Sequence, residues 1–141
     1  MRYVTDSSAW FKWVVPEVHS DKADRLRNDY RNAVHELLAL DIFPAEVAHA
    51  LTRAERQGRI VQSQAILLWA DVMSTAPRFV PTASLLPRAI RISSQARIGV
   101  YDCLYVALAE QEQCEFVTAD DKLVKNLKHL FPFIVPLASL P

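Results

Sequence analysis

Four acidic residues of this 141-residue chain lie where an apolar run ends or a helix begins. Asp6 follows the β-rich run RYVT, and Asp120 follows the run CEFVTA. Glu46 opens a helical segment, and Asp102 begins the apolar stretch CLYVALA. Ligands of open parallel sheets bind beyond the carboxyl ends of the strands. We therefore expect three of these carboxylates to meet at one edge of a parallel sheet, and Asp102 to join them if its helix starts at that edge.

Each acid on its own has a simple structural explanation, because carboxylates cap helices and favour the positive end of the helix dipole. Four together are costly, since two carboxylates about 5 Å apart repel by roughly 3 kcal/mol at an effective dielectric near 20. A divalent cation is the simplest compensation, and all-oxygen ligands favour Mg²⁺ or Mn²⁺. A hard metal in an acidic pocket predicts phosphodiester chemistry. The predicted catalytic residues are Asp6, Glu46, Asp102 and Asp120.

The sequence lacks the residues that several other kinds of functional site require. Gly58 and Gly99 are the only glycines, which excludes a dinucleotide-binding turn and a P-loop. Cys103 and Cys114 have no metal-ligand spacing and are predicted to be reduced core thiols. The ExxH spacing that ends at His49 has no second copy, which argues against a di-iron site. The formal net charge is zero, so no global basic excess attracts nucleic acid.

The elements that must position the acids alternate along the chain. Strands are predicted over residues 2–5, 38–43, 78–82, 114–119 and 131–137. Helices are predicted over residues 9–15, 20–38, 45–58, 59–76, 83–99, 101–113 and 120–130. This alternation indicates one α/β domain over residues 1–141 with a mainly parallel sheet. The prolines of the last strand favour an edge position.

Apolar residues make up 51% of the chain, which predicts a sizeable core. No apolar run is long enough to cross a bilayer, and the first residues lack the apolar region of a signal peptide. We expect a soluble cytoplasmic protein without membrane association. The three tryptophans have helical spacing and apolar neighbours, so core packing or a dimer interface is favoured over base stacking. They are Trp10, Trp13 and Trp69.

An ordered set of motifs carries a family resemblance. It consists of YVTDSSAW, FPAEVAHALTRAERQGRI, VYDCLYVALAEQEQCEFVTADDKL and a closing PFIVPL. With these motifs the chain resembles the PIN-domain nucleases, and specifically the VapC-like toxins of type II toxin–antitoxin pairs. The match runs over the whole length. The segment from residue 16 to residue 40 departs from it, because it is longer and more charged than the resemblance leads us to expect.

The resemblance implies a fold and an activity. The fold is a three-layer α/β/α arrangement with a five-stranded, mainly parallel sheet. The activity is that of an endoribonuclease dependent on Mg²⁺ or Mn²⁺, acting on tRNA, ribosomal RNA or mRNA through a metal-activated water. The implied partners are a cognate antitoxin protein, the RNA substrate and a second copy of the chain in a homodimer.

The resemblance also implies roles for residues. Asp6, Asp102 and Asp120 are expected to hold the metal, and Glu46 to bind a second metal or orient the attacking water. Asp121, beside Asp120, is an alternative fourth ligand. Two hydroxyl side chains are expected to support the carboxylates, Ser8 (less surely Ser7) and Thr118.

Candidate RNA contacts are basic residues near these motifs, with a solvated helix face as the alternative for each. They are Arg53, Arg56, Arg59 and Lys122, with Lys125 and Lys128. Two other functions stay open: a non-catalytic PIN-like module that binds RNA or protein, and cleavage of DNA flaps. The small size of the chain argues against the second.

Overall fold

Five parallel strands form the central sheet of the protein. The computed structural model describes residues 1–141 and orders the strands β3-β2-β1-β4-β5. Every neighbouring pair is parallel. The order reverses between β1 and β4, and a crevice at such a reversal is where open α/β sheets bind ligands. The strands are β1 (Arg2–Thr5), β2 (Glu36–Leu40), β3 (Arg78–Val80), β4 (Glu115–Thr118) and β5 (Ile134–Pro136).

Seven helices cover the sheet. They are α1 (Ser7–Val14), α2 (Ser20–Arg31), α3 (Phe43–Arg56), α4 (Gln64–Met73), α5 (Leu86–Ala96), α6 (Val100–Glu112) and α7 (Asp121–Leu127). Helices α1 to α4 pack together as one group, while α5 packs on α6, which lies against β1, β2 and β4. The three-layer α/β/α fold with a five-stranded sheet is therefore confirmed. None of the helices is long and apolar enough to cross a bilayer.

The central strands and α6 are buried almost completely. Residues 37–40 of β2 are all buried, as expected for a parallel strand with helices on both faces. Seven consecutive residues of α6, 103–109, are also buried. Over these two turns the helix has no solvated face. Cys103 lies within this buried run and Cys114 is half-buried, and neither forms a disulfide.

Two predicted boundaries around the second strand are wrong. The helix predicted over residues 20–38 ends at Arg31, because Ala33 adopts a left-handed conformation with φ of 58°. Glu36 then starts β2, so the strand predicted over residues 38–43 begins earlier and stops at Leu40. Phe43 already belongs to α3. The apolar run over residues 37–40 belongs to a buried parallel strand. Hydrophobic periodicity alone does not distinguish such a strand from a helix.

The tryptophans pack as predicted from their spacing. Trp10 is fully buried, 3.6 Å from Trp13 between ring centroids. The indole N–H of Trp13 donates to the Ala23 carbonyl, and that of Trp69 donates to the Pro44 carbonyl at 3.0 Å. These contacts bind α1 to α2 and α4 to α3.

A buried arginine joins helix α2, which lies in the charged segment from residue 16 to residue 40, to the rest of the protein. Arg27 is 8% exposed, and its guanidinium lies 4.7 Å from the Trp13 ring centroid. It donates to the Thr75 hydroxyl at 3.0 Å and to the Asp71 carboxylate and carbonyl at 2.9 Å each. The charged segment from residue 16 to residue 40 is therefore an integral part of the domain.

Replacing this arginine tests that conclusion. We expect Arg27→Met to keep the apolar contact with Trp13 but lose three hydrogen bonds, two of them to Asp71. The free energy of unfolding in urea should fall by about 2 kcal/mol, the scale of hydrogen bonds to charged groups. The matched control is Arg25→Met on the exposed side of α2, which should change it by less than about 0.5 kcal/mol. Equal effects of the two variants would contradict this role of Arg27.

Candidate metal centre and nucleic-acid groove

Asp6 lies at the carboxyl end of β1, directly beside the end of β4. The register pairs Thr5 with Val117, so the residue that follows each of them is at the same edge of the sheet. The Asp6 carboxylate caps α1: its Oδ1 accepts from the Ser8 N–H at 3.1 Å and from the Ser8 hydroxyl at 2.5 Å. Its Oδ2 accepts from the Thr118 hydroxyl at 2.8 Å. Both carboxylate oxygens are thus fixed in orientation.

The same hydroxyls continue the network to Asp120. The Ser8 hydroxyl accepts from the Ala119 N–H at 2.8 Å, and the Thr118 hydroxyl accepts from the Asp120 N–H at 3.1 Å. Asp120 in turn caps α7 through Oδ1, which accepts from the Lys122 N–H at 3.1 Å. The supporting roles predicted for Ser8 and Thr118 have a geometric basis here, because both hydroxyls contact the ends of both strands.

Burial raises the proton affinity of Asp6. The side chain is almost enclosed, and this desolvation raises the pKa of the carboxyl to about 6, with a smaller contribution from the negative charge of Asp120. The hydrogen bonds from Ser8 and Thr118 act in the opposite direction and lower that pKa. The protein therefore stabilises a carboxylate at this position only in part.

Glu46, in the first turn of α3, is held by a tyrosine that the sequence did not single out. The hydroxyl of Tyr105, on α6, donates to the Glu46 Oε1. Burial raises the pKa of Glu46 to about 7, the Tyr105 hydrogen bond lowers it, and the charges of Asp6 and Asp102 raise it further. The negative charges of Asp6 and Asp102 therefore act on Glu46.

Asp102, in the first turn of α6, also carries one of these mutually repelling charges. Its pKa is raised by burial first and then by the charge of Asp120, while Lys122 lowers it. The acids thus repel one another across one edge of the sheet. No group of three or more His, Cys, Asp or Glu side chains is arranged to hold a metal ion directly. In its chemistry, however, the donor set fits a hard divalent cation, because every donor is a carboxylate oxygen and the net local charge is negative.

A groove of about 1010 Å³ lies between α1 and α3, and of the four acids Glu46 is the one that lines it. Ser8 and Glu46 line its acidic end, with the exposed ring of Tyr101 at the rim. Along α3 the lining continues with Arg53 and then, beyond the end of the helix, with Arg59. The groove therefore has negative charge at one end and positive charge at the other.

The predicted basic residues divide into two sets. Arg53 and Arg59 line the groove, and Lys122 acts on Asp102 at its acidic end. Arg56 is exposed on α3 and does not line the groove. Of the two further lysines, Lys125 is exposed on α7, and Lys128 donates to the Ile134 carbonyl at 2.5 Å.

Sequence reasoning missed four residues of this region. Lys12 and Phe11 line the groove one helical turn after Ser8 and Ser7, and that four-residue spacing could have identified them. Tyr105 lies three residues after Asp102, and a buried tyrosine hydroxyl normally needs a polar partner. Glu17 follows α1 in a turn, and nothing in the sequence marks it.

Comparison with known proteins agrees with this fold and groove. The sequence model of the PIN domain matches residues 3–128. The chain therefore belongs to the PIN-domain family.

A particular relative supports the VapC-like resemblance. The chain is 30% identical over 137 residues to Ribonuclease VapC3 of Pyrobaculum aerophilum, covering 96% of this chain and 98% of the relative. The crystal structure of PAE2754 from Pyrobaculum aerophilum has the same fold, with a TM-score of 0.71 at 22% identity over 99% of this chain and 85% of that one. These similarities confirm the family and the fold. The roles of individual residues stay predictions.

The raised pKa values predict how the stability of the metal-free protein depends on pH. Asp6 and Glu46 have pKa values of about 6 and 7 when folded, whereas unfolded carboxyls titrate near 4. The folded state binds more protons between these limits, so the free energy of unfolding should fall as pH rises from about 4 to 7. Asp6→Asn should remove the part of this decrease in unfolding free energy that comes from Asp6, which is at most about 3 kcal/mol.

Urea unfolding in EDTA at a series of pH values measures this dependence. The matched control is Asp121→Asn, an exposed aspartate at the start of α7, which should leave the fall intact. A profile for Asp6→Asn that runs parallel to the unsubstituted protein would contradict the placement of the Asp6 charge.

Proposed function

We propose that this protein is a metal-dependent endoribonuclease, the toxin of a VapBC-type pair, which hydrolyses RNA phosphodiester bonds. The observation that carries the proposal is the mutual repulsion of four carboxylates around the ends of β1 and β4, one of which, Glu46, lines a groove whose other end is basic. The similarity to a protein named Ribonuclease VapC3 supports RNA as the substrate. The unpaired thiols are consistent with action in the cytoplasm.

Each acid has a distinct task in this proposal. Asp6, Asp102 and Asp120 would hold Mg²⁺ or Mn²⁺, directly or through water. The chemistry that such an ion supplies when bound is neutralisation of the phosphodiester charge and acidification of a water molecule. Ser8 and Thr118 keep the Asp6 carboxylate in one orientation.

Glu46 would orient the attacking water. Its Oε1 accepts from the Tyr105 hydroxyl, so Oε2 would be the oxygen that orients the water in the groove that Glu46 lines. Attack by water on the phosphorus would leave a 5′-phosphate and a 3′-hydroxyl. The basic residues Arg53 and Arg59 would bind backbone phosphates of the RNA beyond the cleaved bond.

Two protein partners follow from the same proposal. The groove would also receive a segment of the cognate antitoxin, which keeps the enzyme inactive. A homodimer is supported by exposed apolar side chains outside the groove, among them Ile66 and Leu67 of α4 and Ile90 of α5. Light scattering of the purified chain gives its mass in solution and decides between monomer and dimer.

Substitution of Asp102 tests the enzymatic function. We expect Asp102→Asn to lower RNA cleavage by about 100-fold or more, since even residues that only support metal ligands are worth 10- to 100-fold. It should leave the stability of the metal-free protein unchanged or raised, because the charge of Asp102 is repelled by Asp120. Cleavage of labelled RNA and of a matched DNA, with Asp24→Asn on the exposed side of α2 as the control, measures the first effect.

The same variants distinguish catalysis from a non-catalytic scaffold. A scaffold would bind RNA equally with and without Asp102 and would cleave nothing. Preferential cleavage of the DNA would instead identify a DNA nuclease. A large loss of metal-free stability in Asp102→Asn would show that Asp102 serves to cap its helix.

Removal of metal is an independent test. We expect EDTA to abolish cleavage and added Mn²⁺ to restore it, because the bound ion would neutralise the phosphodiester charge and acidify the attacking water. Titration calorimetry should show Mn²⁺ binding to the native chain and weaker binding to Asp6→Asn. Full activity after exhaustive chelation would contradict a metal-dependent mechanism.

A further inference from the structure

A carboxylate lies among the cations at the basic end of the groove. Glu17 lines this end, and its Oε2 lies 2.9 Å from the Nη2 of Arg59. Its Oε1 lies 3.7 Å from the Nζ of Lys12. The Glu17 side chain is only 28% exposed. In the free protein, therefore, two of the groove's cations already have an anionic partner.

The turn between α1 and α2 fixes Glu17 in this position. The Glu17 N–H donates to the Ser20 hydroxyl at 2.9 Å, which itself donates to the Lys12 carbonyl at 2.8 Å. The Lys12 ammonium also donates to the Val18 carbonyl at 2.9 Å. Glu17 is thus part of an ordered turn that is anchored on the last turn of α1.

The end of α3 fixes Arg59 on the opposite side of the groove. Gly58 adopts φ of +74°, a conformation that favours glycine, directly after the helix. The Arg59 N–H donates to the Ala54 carbonyl at 2.9 Å and the Gly58 N–H to the Glu55 carbonyl at 3.0 Å, which together form a Schellman motif. The Arg59 guanidinium also lies 5.3 Å from the Phe11 ring centroid.

We propose that Lys12 and Arg59 form a phosphate-binding subsite for the RNA backbone, and that Glu17 occupies this subsite as an internal anion until RNA displaces it. The inference rests on the proposed ribonuclease function and adds a site to it. A carboxylate and a phosphate accept hydrogen bonds from an arginine in the same forked geometry, so one can replace the other.

The position of the subsite suits a strand that is cut at the acidic end. Glu46 and Gln57 both line the groove, and 11 residues of helix at 1.5 Å each place them about 16 Å apart along α3. A strand lying along the groove would therefore reach Arg59 a few nucleotides from the cleaved bond. The contact would not take part in the chemistry and would determine how tightly the strand is held.

An internal anion has a measurable effect on salt dependence. RNA normally gains affinity at low salt because protein cations displace the counterions of its phosphates, with a slope of about −0.7 in log affinity against log salt for each phosphate contacted on a single strand. A phosphate that must first displace Glu17 gains less, because the released carboxylate attracts ions in exchange. Without Glu17, the slope should become more negative by about 0.7.

The experiment compares Glu17→Gln with a matched charge change elsewhere. Glu36→Gln is the control, because Glu36 also contacts two arginines, Arg2 at 3.5 Å and Arg78 at 3.4 Å, at the other edge of the sheet. Binding of a fluorescently labelled single-stranded oligoribonucleotide is measured at several salt concentrations, with all proteins in the Asp102→Asn background so that the RNA stays intact.

We expect Glu17→Gln to tighten binding about 2- to 5-fold at low salt, the scale of a partly exposed ion pair, and to steepen the slope. Glu36→Gln should do neither. The effect of Glu17→Gln should disappear when Lys12 and Arg59 are both replaced by Gln. An equal effect of the control, or an effect that persists without the two cations, overturns the inference.

Cleavage by the native chain with Mn²⁺ separates this inference from the proposed function. If RNA is cleaved and Glu17→Gln changes neither affinity nor slope, the subsite is wrong and the ribonuclease function stands. If no protein binds or cleaves RNA, the proposed function is wrong and the subsite with it.

Discussion

Enclosing the negative charge of Asp6 where two parallel strands end is the constraint on which the site depends. A carboxylate in this position is costly, and the hydroxyls of Ser8 and Thr118 offset only part of that cost. The sheet imposes the position, because β1 and β4 are neighbours in register and the residues after them cannot separate. The fold thus maintains an unfavourable charge distribution that a cation would relieve.

Helix α3 relates the two ends of the groove. The first turn of α3 carries Glu46, one of the acids. The helix ends at the turn that orients Arg59 among the cations. Because a helix is rigid over this length, the separation between the acidic and the basic end is fixed by the number of residues between them. The groove is therefore a preorganised surface with charge of opposite sign at its two ends.

Much of this architecture could be predicted from the sequence, and the reasons are local. Asp6 and Asp120 follow short β-rich runs, so their place at the strand ends depends only on the strand assignment. The alternation of strands and helices likewise predicted the α/β class. The helix predicted beyond Arg31 was wrong because one left-handed residue, Ala33, ended it where the apolar pattern continued.

Contacts between distant segments could not be predicted in this way. The Glu46–Tyr105 hydrogen bond joins residues 59 positions apart, and the ion pair between Glu17 and Arg59 joins two turns. Neither pair has a spacing rule, because each depends on how whole helices pack. Sequence reasoning therefore named the acids together with Ser8 and Thr118, and left out Tyr105, Glu17 and the groove between α1 and α3.

The hydrogen bond between Thr118 and Asp6 spans 112 residues, which has a consequence for biosynthesis. β4 is the fourth strand along the chain but lies next to the first, so this strand pair closes only after residue 118 has left the ribosome. Such long-range pairing forms late in folding. A product of premature termination that lacks β4 retains Asp6 and Glu46 without the strand that orders them, so translation itself delays assembly of the site until β4 has been synthesised.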